Sequence, residues 1–436
     1  MTLALLGFGM VAAFTVLIMT QRITPLVALI IVPLAVGLLA GHGTDLGPMM
    51  ISGLKDLAPT AVMLLFAILF FGIMTDAGLF DPLVAAIVRL AKSDPLRITL
   101  GTAALGTLIS LDGDGSTTYL IACSAMLPLY QRLGMNRLYL VCLLMLCSGV
   151  MNLTPWGGPT GRAAAALHLD MASLFLPLIP AMVAGLGLIV GMAIVFGRAE
   201  RRRLGEVSLD DTRPTSDIIQ LRVGPASRTR RNGVNIVLVS ALMAGLILPA
   251  FGITTLPLTI LMMLALALGL MVNFPRLEDQ RQMIASHAGN AVSVAALIFA
   301  AGIFTGILKG TGMIEAMSQA VLATLPPGLA PHMSLVVAIL SLPGTFFLSN
   351  DAFYFGMLPV LAEAGAHHGL APAAMARAAL MGQPFHLLSP LVPSTWLLVS
   401  LAGVDMGRHQ RFTAGWAALL CTVMILAALA FGAFPL

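Results

Sequence analysis

Apolar runs about 20 residues long alternate along the chain with short polar stretches, at 3–20, 23–41, 58–76, 136–168, 172–197, 233–252, 255–274, 288–308, 372–404 and 412–434. A helix of that length crosses a ~30 Å hydrocarbon core. The pattern predicts an all-α integral membrane protein with about ten transmembrane helices. The runs at 136–168 and 372–404 contain prolines and predict two broken helices. Two further apolar stretches, 96–133 and 331–366, have polar centres and predict two re-entrant hairpins.

Composition sharpens this picture. The 436 residues are 58% hydrophobic and only 10% charged, against ~25% charged in a soluble domain. Soluble enzyme classes are excluded. The four cysteines lie in apolar runs without CxxC or metal spacing and read as small buried hydrophobes. The first apolar run has no basic n-region or A-x-A-like exit, so it reads as a span and not as a cleaved leader.

Charge sets the sidedness. Residues 198–231 hold nine arginines against five acids, and the positive-inside rule makes this loop cytoplasmic. Alternating outward from it puts 19 of the 23 basic residues inside. Only Lys55, Arg162, Lys309 and Arg377 fall outside or at depth. The protein is expected in a bacterial-type plasma (inner) membrane, embedded in lipid, with no nucleic-acid partner.

The two sides of the arginine loop resemble each other. Pro25-Leu26 with Gly37 recurs as Pro257-Leu258 with Gly269, and Gly72-Ile73 with Gly78 and Asp81 as Gly306-Ile307 with Gly312 and Glu315. Met126-Leu127-Pro128 recurs as Met357-Leu358-Pro359, and Asp170-Met171 as Asp405-Met406, at offsets between 231 and 235. The implied first repeat is 1–197, with scaffold helices 1–92, hairpin and broken helix 96–168, and closing helix 172–197. After loop 198–231 comes the second repeat, 232–436, with scaffold helices 232–325, hairpin and broken helix 331–404, and closing helix 412–434. Five crossings per copy make the copies inverted, a signature of secondary transporters that bind substrate at the repeat interface.

The candidate chemistry sits at the hairpin tips and the breaks. Each arm of the first hairpin, Arg97 to Arg132, is about 14 residues, or ~21 Å of helix, which favours re-entry over two crossings. The first tip carries Asp112, Asp114, Ser116, Thr117 and Thr118; the second carries Ser349, Asn350 and Asp351. The first break offers Asn152, Thr154, Gly157, Gly158 and Thr160; the second offers His386, Ser389, Ser394 and Thr395. Freed half-helix termini there present N–H groups to an anion and carbonyls to a cation. These polar residues are read as substrate-binding. Intramembrane carboxylates are costly and suggest function, so Asp112, Asp114 and Asp351 are candidates for proton or cation coupling and for contact with a metal carried in the substrate. Turn and capping chemistry explains Asp112 and Asp114 equally directly. Asp351 is freer, because Ser349 or Asn350 can cap. His386 reads as a relay or as a satisfied buried histidine, and Arg162 and Arg377 as substrate partners or as snorkelling side chains.

Leu111 to Leu120 (LDGDGSTTYL), Pro155 to Thr160 (PWGGPT) and Leu348 to Gly356 (LSNDAFYFG) resemble the hallmark segments of the citrate–divalent metal/proton symporters, the CitMHS family of the ion transporter superfamily. The resemblance covers essentially the whole chain. It implies proton-coupled symport of citrate as a complex with a divalent cation such as Mg²⁺ or Ca²⁺, with no tightly bound cofactor. It also implies kinship with divalent-anion/sodium symporters, which are homodimers with an elevator-type transport domain. Those relatives carry Ser-Asn-Thr at both tips, whereas here Asp351 replaces one Thr and the first tip is rich in Asp and Gly. Metal complexation, which lowers the charge of citrate and brings a hard cation to oxygen ligands, gives acidic tips a rationale. The competing readings are a gluconate-like or sodium-coupled carboxylate symporter, a channel, and an intramembrane enzyme. No nucleophile–base or metal-hydrolase motif supports the last.

Overall fold

The computed structural model describes residues 2–91, 94–204, 227–248, 253, 256–326 and 328–436. Most of the expected arginine loop, 205–226, lies outside the described residues. Every regular element among the described residues is helical.

The first half contains α1 (Thr2–Met19), α2 (Pro25–Leu39), the long α3 (Leu46–Asp76) and α4 (Asp81–Ala91), then the first hairpin, α5 (Pro95–Ile109) and α6 (Gly115–Arg132). The broken helix follows as α7 (Arg137–Met151) and α8 (Gly158–Leu167), and α9 (Met171–Phe175) leads into α10 (Ile179–Leu204). The second half repeats the order. It has α11 (Ser227–Ile247), α12 (Leu258–Asn273), the long α13 (Leu277–Gly310) and α14 (Met313–Thr324). Next come hairpin arms α15 (Met333–Phe347) and α16 (Leu358–Ala366), then α17 (Pro372–Leu380), α18 (Gln383–His386), α19 (Pro393–Ala402) and α20 (Met406–Ala430).

Among the described residues, five helical stretches are long and apolar enough to cross a membrane: Leu46–Asp76, Met171–Leu204, Leu277–Gly310, Ala330–Phe347 and Met406–Ala430. The other apolar runs are shorter helices, many of them trimmed by a proline in the first turn or a side-chain cap. In the first hairpin α5, with 15 residues, meets the expectation of about 14, and α6 exceeds it. α6 has 18 residues, or ~27 Å, because its polar end, Gln131-Arg132, stays helical. Arm length alone therefore does not argue for re-entry; the contacts of the tips, described below, place them inside the protein. The 372–404 run breaks twice, once at Met381-Gly382 and again at 387–392.

Two of the recurring pairs take the same local role in both halves. Gly78 and Gly312 both adopt left-handed φ, 81° and 73°, just past the ends of α3 and α13, a conformation that favours glycine. Asp170 and Asp405 both cap, accepting from the backbone N–H groups of Ser173 (3.1 Å) and Arg408 (2.9 Å). α3 and α13 pack in close contact through glycines. A side chain on Gly53 would lie 1.9 Å from the Gly302 carbonyl oxygen, and one on Gly306 2.4 Å from that of Met49. Farther along, Gly72 lies against the His287 ring. Residue numbers rise along one helix as they fall along the other, so these counterpart helices run antiparallel, as inverted copies must.

Packing separates two groups of helices. One contains α1–α3 with α11–α14, and the other α5–α10 with α15–α20. They meet through α14, which packs on both α1 and α16, and through α8, the turn Ser110–Asp112 and the π-helical turn Ala352–Met357 that follows Asp351. A π turn leaves a local irregularity in the backbone ladder and often marks a functional position. Both tips and the helix that follows the first break thus lie where the two groups touch.

Candidate functional site

At the first tip the chain turns through a 3₁₀ turn, and Gly113 (φ 76°) reverses its direction. Asp114 then caps α6, accepting from the N–H groups of Ser116 (3.1 Å) and Thr117 (3.2 Å) and from the Thr117 hydroxyl (2.6 Å). Both of its oxygens are occupied. Asp112 is buried and accepts one bond, from Asp114 N–H at 2.9 Å. No basic side chain pairs with it among the described residues. The tip is held from two sides. Trp156 Nε1 donates to the Leu111 carbonyl at 2.6 Å, and Gly115 lies against Ser394. It therefore touches the first break and the second.

The second tip has the same relation to the breaks. Ser349 Oγ accepts from Ala352 N–H at 3.2 Å, which leaves the neighbouring acid free. Asp351 Oδ1 pairs with Arg162 Nε at 2.6 Å, joining the second tip to α8 just past the first break. Asn350 Oδ1 accepts from Gln383 Nε2 at 3.1 Å, and the same nitrogen donates to Tyr354 Oη at 2.7 Å, so this tip also reaches the start of the second break.

The breaks themselves are closely built. Asn152 ends α7, and a side chain on Gly157 would lie 2.0 Å from the Asn152 carbonyl oxygen. Thr160 donates to that oxygen at 3.2 Å. In the second break Thr395 donates to the Leu387 carbonyl at 2.6 Å. His386 Nδ1 lies 2.5 Å from the Thr345 carbonyl oxygen and Ser389 Oγ donates to Phe346 O at 2.6 Å. Both thus satisfy last-turn carbonyls of α15 that the helix leaves unpaired. Gly158 opens α8 beside the Arg162 guanidinium.

Four buried polar atoms around these segments have no hydrogen-bond partner among the described residues: Thr118 Oγ1, Tyr119 Oη, Thr154 Oγ1 and Gln383 Oε1. An unpaired buried polar atom costs ~1–3 kcal/mol, so such a grouping marks a place where a polar ligand or water belongs. Beside the first tip lies a cavity of about 210 Å³ lined by Asp112, Asp114, Thr117 and Trp156, with Asp76 and His287 facing them from α3 and α13. His287 Nε2 lies 2.8 Å from Asp76 Oδ2.

Sequence reasoning left Arg162 without a decided role and did not single out Gln383, Tyr354, Asp76 or His287. The signals were weak: a polar residue at the mouth of a proline break, and a charge at each end of a long apolar run. Arg377 stands apart, its Nε donating to its own helix at the Ala373 carbonyl. Glu315, Glu363 and His367 bring ligand atoms within 4.8 Å of one another. Glu315 and Glu363 also line a second cavity of about 370 Å³ with Lys309 and His168. This trio is separate from the tips.

Buried half-helix ends, paired hairpin tips and orphaned polar atoms between two groups of membrane helices define a multi-pass membrane transporter. The sequence profile of the family described as "Citrate transporter" (CitMHS) matches residues 4–382, and the chain belongs to that family. A Bacillus subtilis protein named "Citrate transporter" is 54% identical over 99% of both chains. The "Mg(2+)/citrate complex secondary transporter" of the same organism is 45% identical over 100% of this chain and 99% of its own. Among solved structures, Neisseria gonorrhoeae MtrF shares the fold, with a TM-score of 0.61 and 15% identity over 89% of this chain and 84% of that one. The family is one of transporters, so the protein is not an enzyme.

Proposed function

We propose that the protein is a secondary active symporter that carries citrate as a complex with a divalent cation, Mg²⁺ or Ca²⁺, together with protons. The observation that carries this reading is the convergence of both hairpin tips on both breaks, with Thr118, Thr154 and Gln383 holding unpaired polar atoms around them. The tip and break residues expected to bind substrate form this site, with Asp112 and Asp351 as the acids that meet the coupled protons and the cation carried in the substrate. Asp114 contributes through the turn it caps. The helices that carry the tips and breaks, 96–204 and 331–436, move as one body against the scaffold, in the elevator manner, within a homodimer in the plasma membrane. Loop 198–231 faces the cytoplasm.

An acidic site suits a complex better than a free tricarboxylate. Buried carboxylates repel like charge, and a bound divalent cation reverses that sign. The relatives named for citrate and for the Mg²⁺–citrate complex support the same choice. The test is dual-label uptake into proteoliposomes, with ¹⁴C-citrate and ⁴⁵Ca²⁺ followed together. Equal molar accumulation of the two labels is expected; citrate accumulating without the cation contradicts the proposal.

A further inference from the structure

The Arg162–Asp351 pair is incomplete on both sides. It joins Nε to Oδ1 and nothing else. Among the described residues neither the two Nη groups of Arg162 nor Asp351 Oδ2 has a hydrogen-bond partner, although the side chains are only 18% and 11% exposed. A guanidinium offers five N–H donors in a fixed fork, so most of this one is free. Gly158, with no side chain, leaves the room that the Nη1 group takes up beside α8. The orphaned Gln383 Oε1 lies one link away, through Asn350. A buried pair with open donors on one partner and an open acceptor on the other is suited to receive a ligand with two ends of opposite charge.

We propose that Arg162 and Asp351 together form a two-ended receptor for the metal–carboxylate complex, an assignment that rests on the symport reading above. The Nη fork of Arg162 takes a citrate carboxylate, while Asp351 Oδ2 faces the bound cation. The pair then selects the complex over either component. Free citrate satisfies Arg162 but sets its remaining charge against Asp351. A free divalent cation satisfies Asp351 but lies beside the guanidinium. Like charges brought together in a buried site are strongly disfavoured, and only the complex matches both ends. Arg162 is thereby a substrate-binding residue, and Asp351 the residue that imposes the metal requirement.

Equilibrium binding of ¹⁴C-citrate to the purified full-length protein, with Mg²⁺ or with EDTA, tests this. Wild type is expected to bind citrate with Mg²⁺ at least tenfold more tightly than with EDTA. Asp351→Asn should narrow that ratio at least tenfold by gaining affinity in EDTA, and Asp351→Glu should keep the wild-type ratio. Arg162→Gln should weaken binding at least tenfold with Mg²⁺, and Arg162→Lys, which keeps the charge without the fork, should fall between. An Asp351→Asn protein that keeps the wild-type ratio, or an Arg162→Gln protein within threefold of wild type, overturns the proposal. Wild-type thermal unfolding gives a readout free of variants. Citrate and Mg²⁺ together should raise the transition and neither alone should do so, and a rise with citrate in EDTA also overturns the proposal. Failure of wild type to bind citrate under any condition would instead overturn the citrate reading itself.

Discussion

Thr160 and Thr395 make the same hydrogen bond at matching points of the two halves. Each donates its hydroxyl to a carbonyl eight residues back, Asn152 for Thr160 at 3.2 Å and Leu387 for Thr395 at 2.6 Å, so that each bond spans one helix break. A break frees carbonyls that lipid cannot satisfy. The threonines satisfy one on each side and fix the distance between the half-helices.

Replacing either threonine by valine leaves that carbonyl unpaired. The expected loss is about 1–3 kcal/mol, greater at Thr395, where the bond is shorter. Thermal unfolding in detergent measures it, and serine at either position should restore most of the stability.

The two acids of the first tip should separate. Asp114 caps α6 through both oxygens; asparagine keeps one accepting oxygen, which suffices for an N-cap, so Asp114→Asn should transport near the wild-type rate while Asp114→Ala loses about 1 kcal/mol. Asp112 holds only one local bond. Asp112→Asn should abolish proton-driven accumulation while leaving citrate exchange across equal concentrations. Uptake and counterflow assays on the same vesicles check both.

Glycines at the α3–α13 crossing cannot take a side chain. Gly53→Ala would put a methyl 1.9 Å from the Gly302 carbonyl oxygen, so the helices must part and little folded protein is expected. Gly289, on the same long helix but with open space at its Cβ, should accept alanine with unchanged or slightly raised stability. Yield of monodisperse protein in size-exclusion chromatography distinguishes them.

At the polar start of the first hairpin, Asp94 caps α5 and is bound by Arg201 through two bonds of 2.7 and 2.5 Å. The hydrogen bonds from Arg201 hold its carboxyl below the ordinary value of 3.8. Its contribution is therefore fully present above ~pH 4, the unfolded value, and fades as pH falls through the lower folded value. Asp94→Asn should lower the unfolding temperature at neutral pH, and the gap to wild type should narrow below ~pH 4. A gap that does not change with pH contradicts the pairing.

The fold class was legible because membrane helices write their lengths as apolar runs, and Gly78 with Gly312 and Asp170 with Asp405 answer to the same local need in both halves. The Asp-Gly turn was legible too, since Gly113 and Asp114 do what those residues do in any tight turn. Asp351 was legible as the freer acid, since Ser349 takes the cap; which of Asp112 and Asp114 caps α6 was not, because that depends on where the helix starts. The Arg162–Asp351 contact joins residues 189 positions apart and follows from tertiary packing. The extra interruption at Met381-Gly382 arises the same way: a side chain on Gly382 would meet the Ser341 carbonyl oxygen at 2.5 Å, an approach no local pattern encodes.

The central claim, symport of a metal–citrate complex with protons, is tested most directly by citrate uptake into proteoliposomes with divalent cation, sodium and the pH gradient varied one at a time. Uptake is predicted to require Mg²⁺ or Ca²⁺, to rise with an inward proton gradient and to be indifferent to sodium. Sodium-driven uptake of citrate in the presence of EDTA would contradict it.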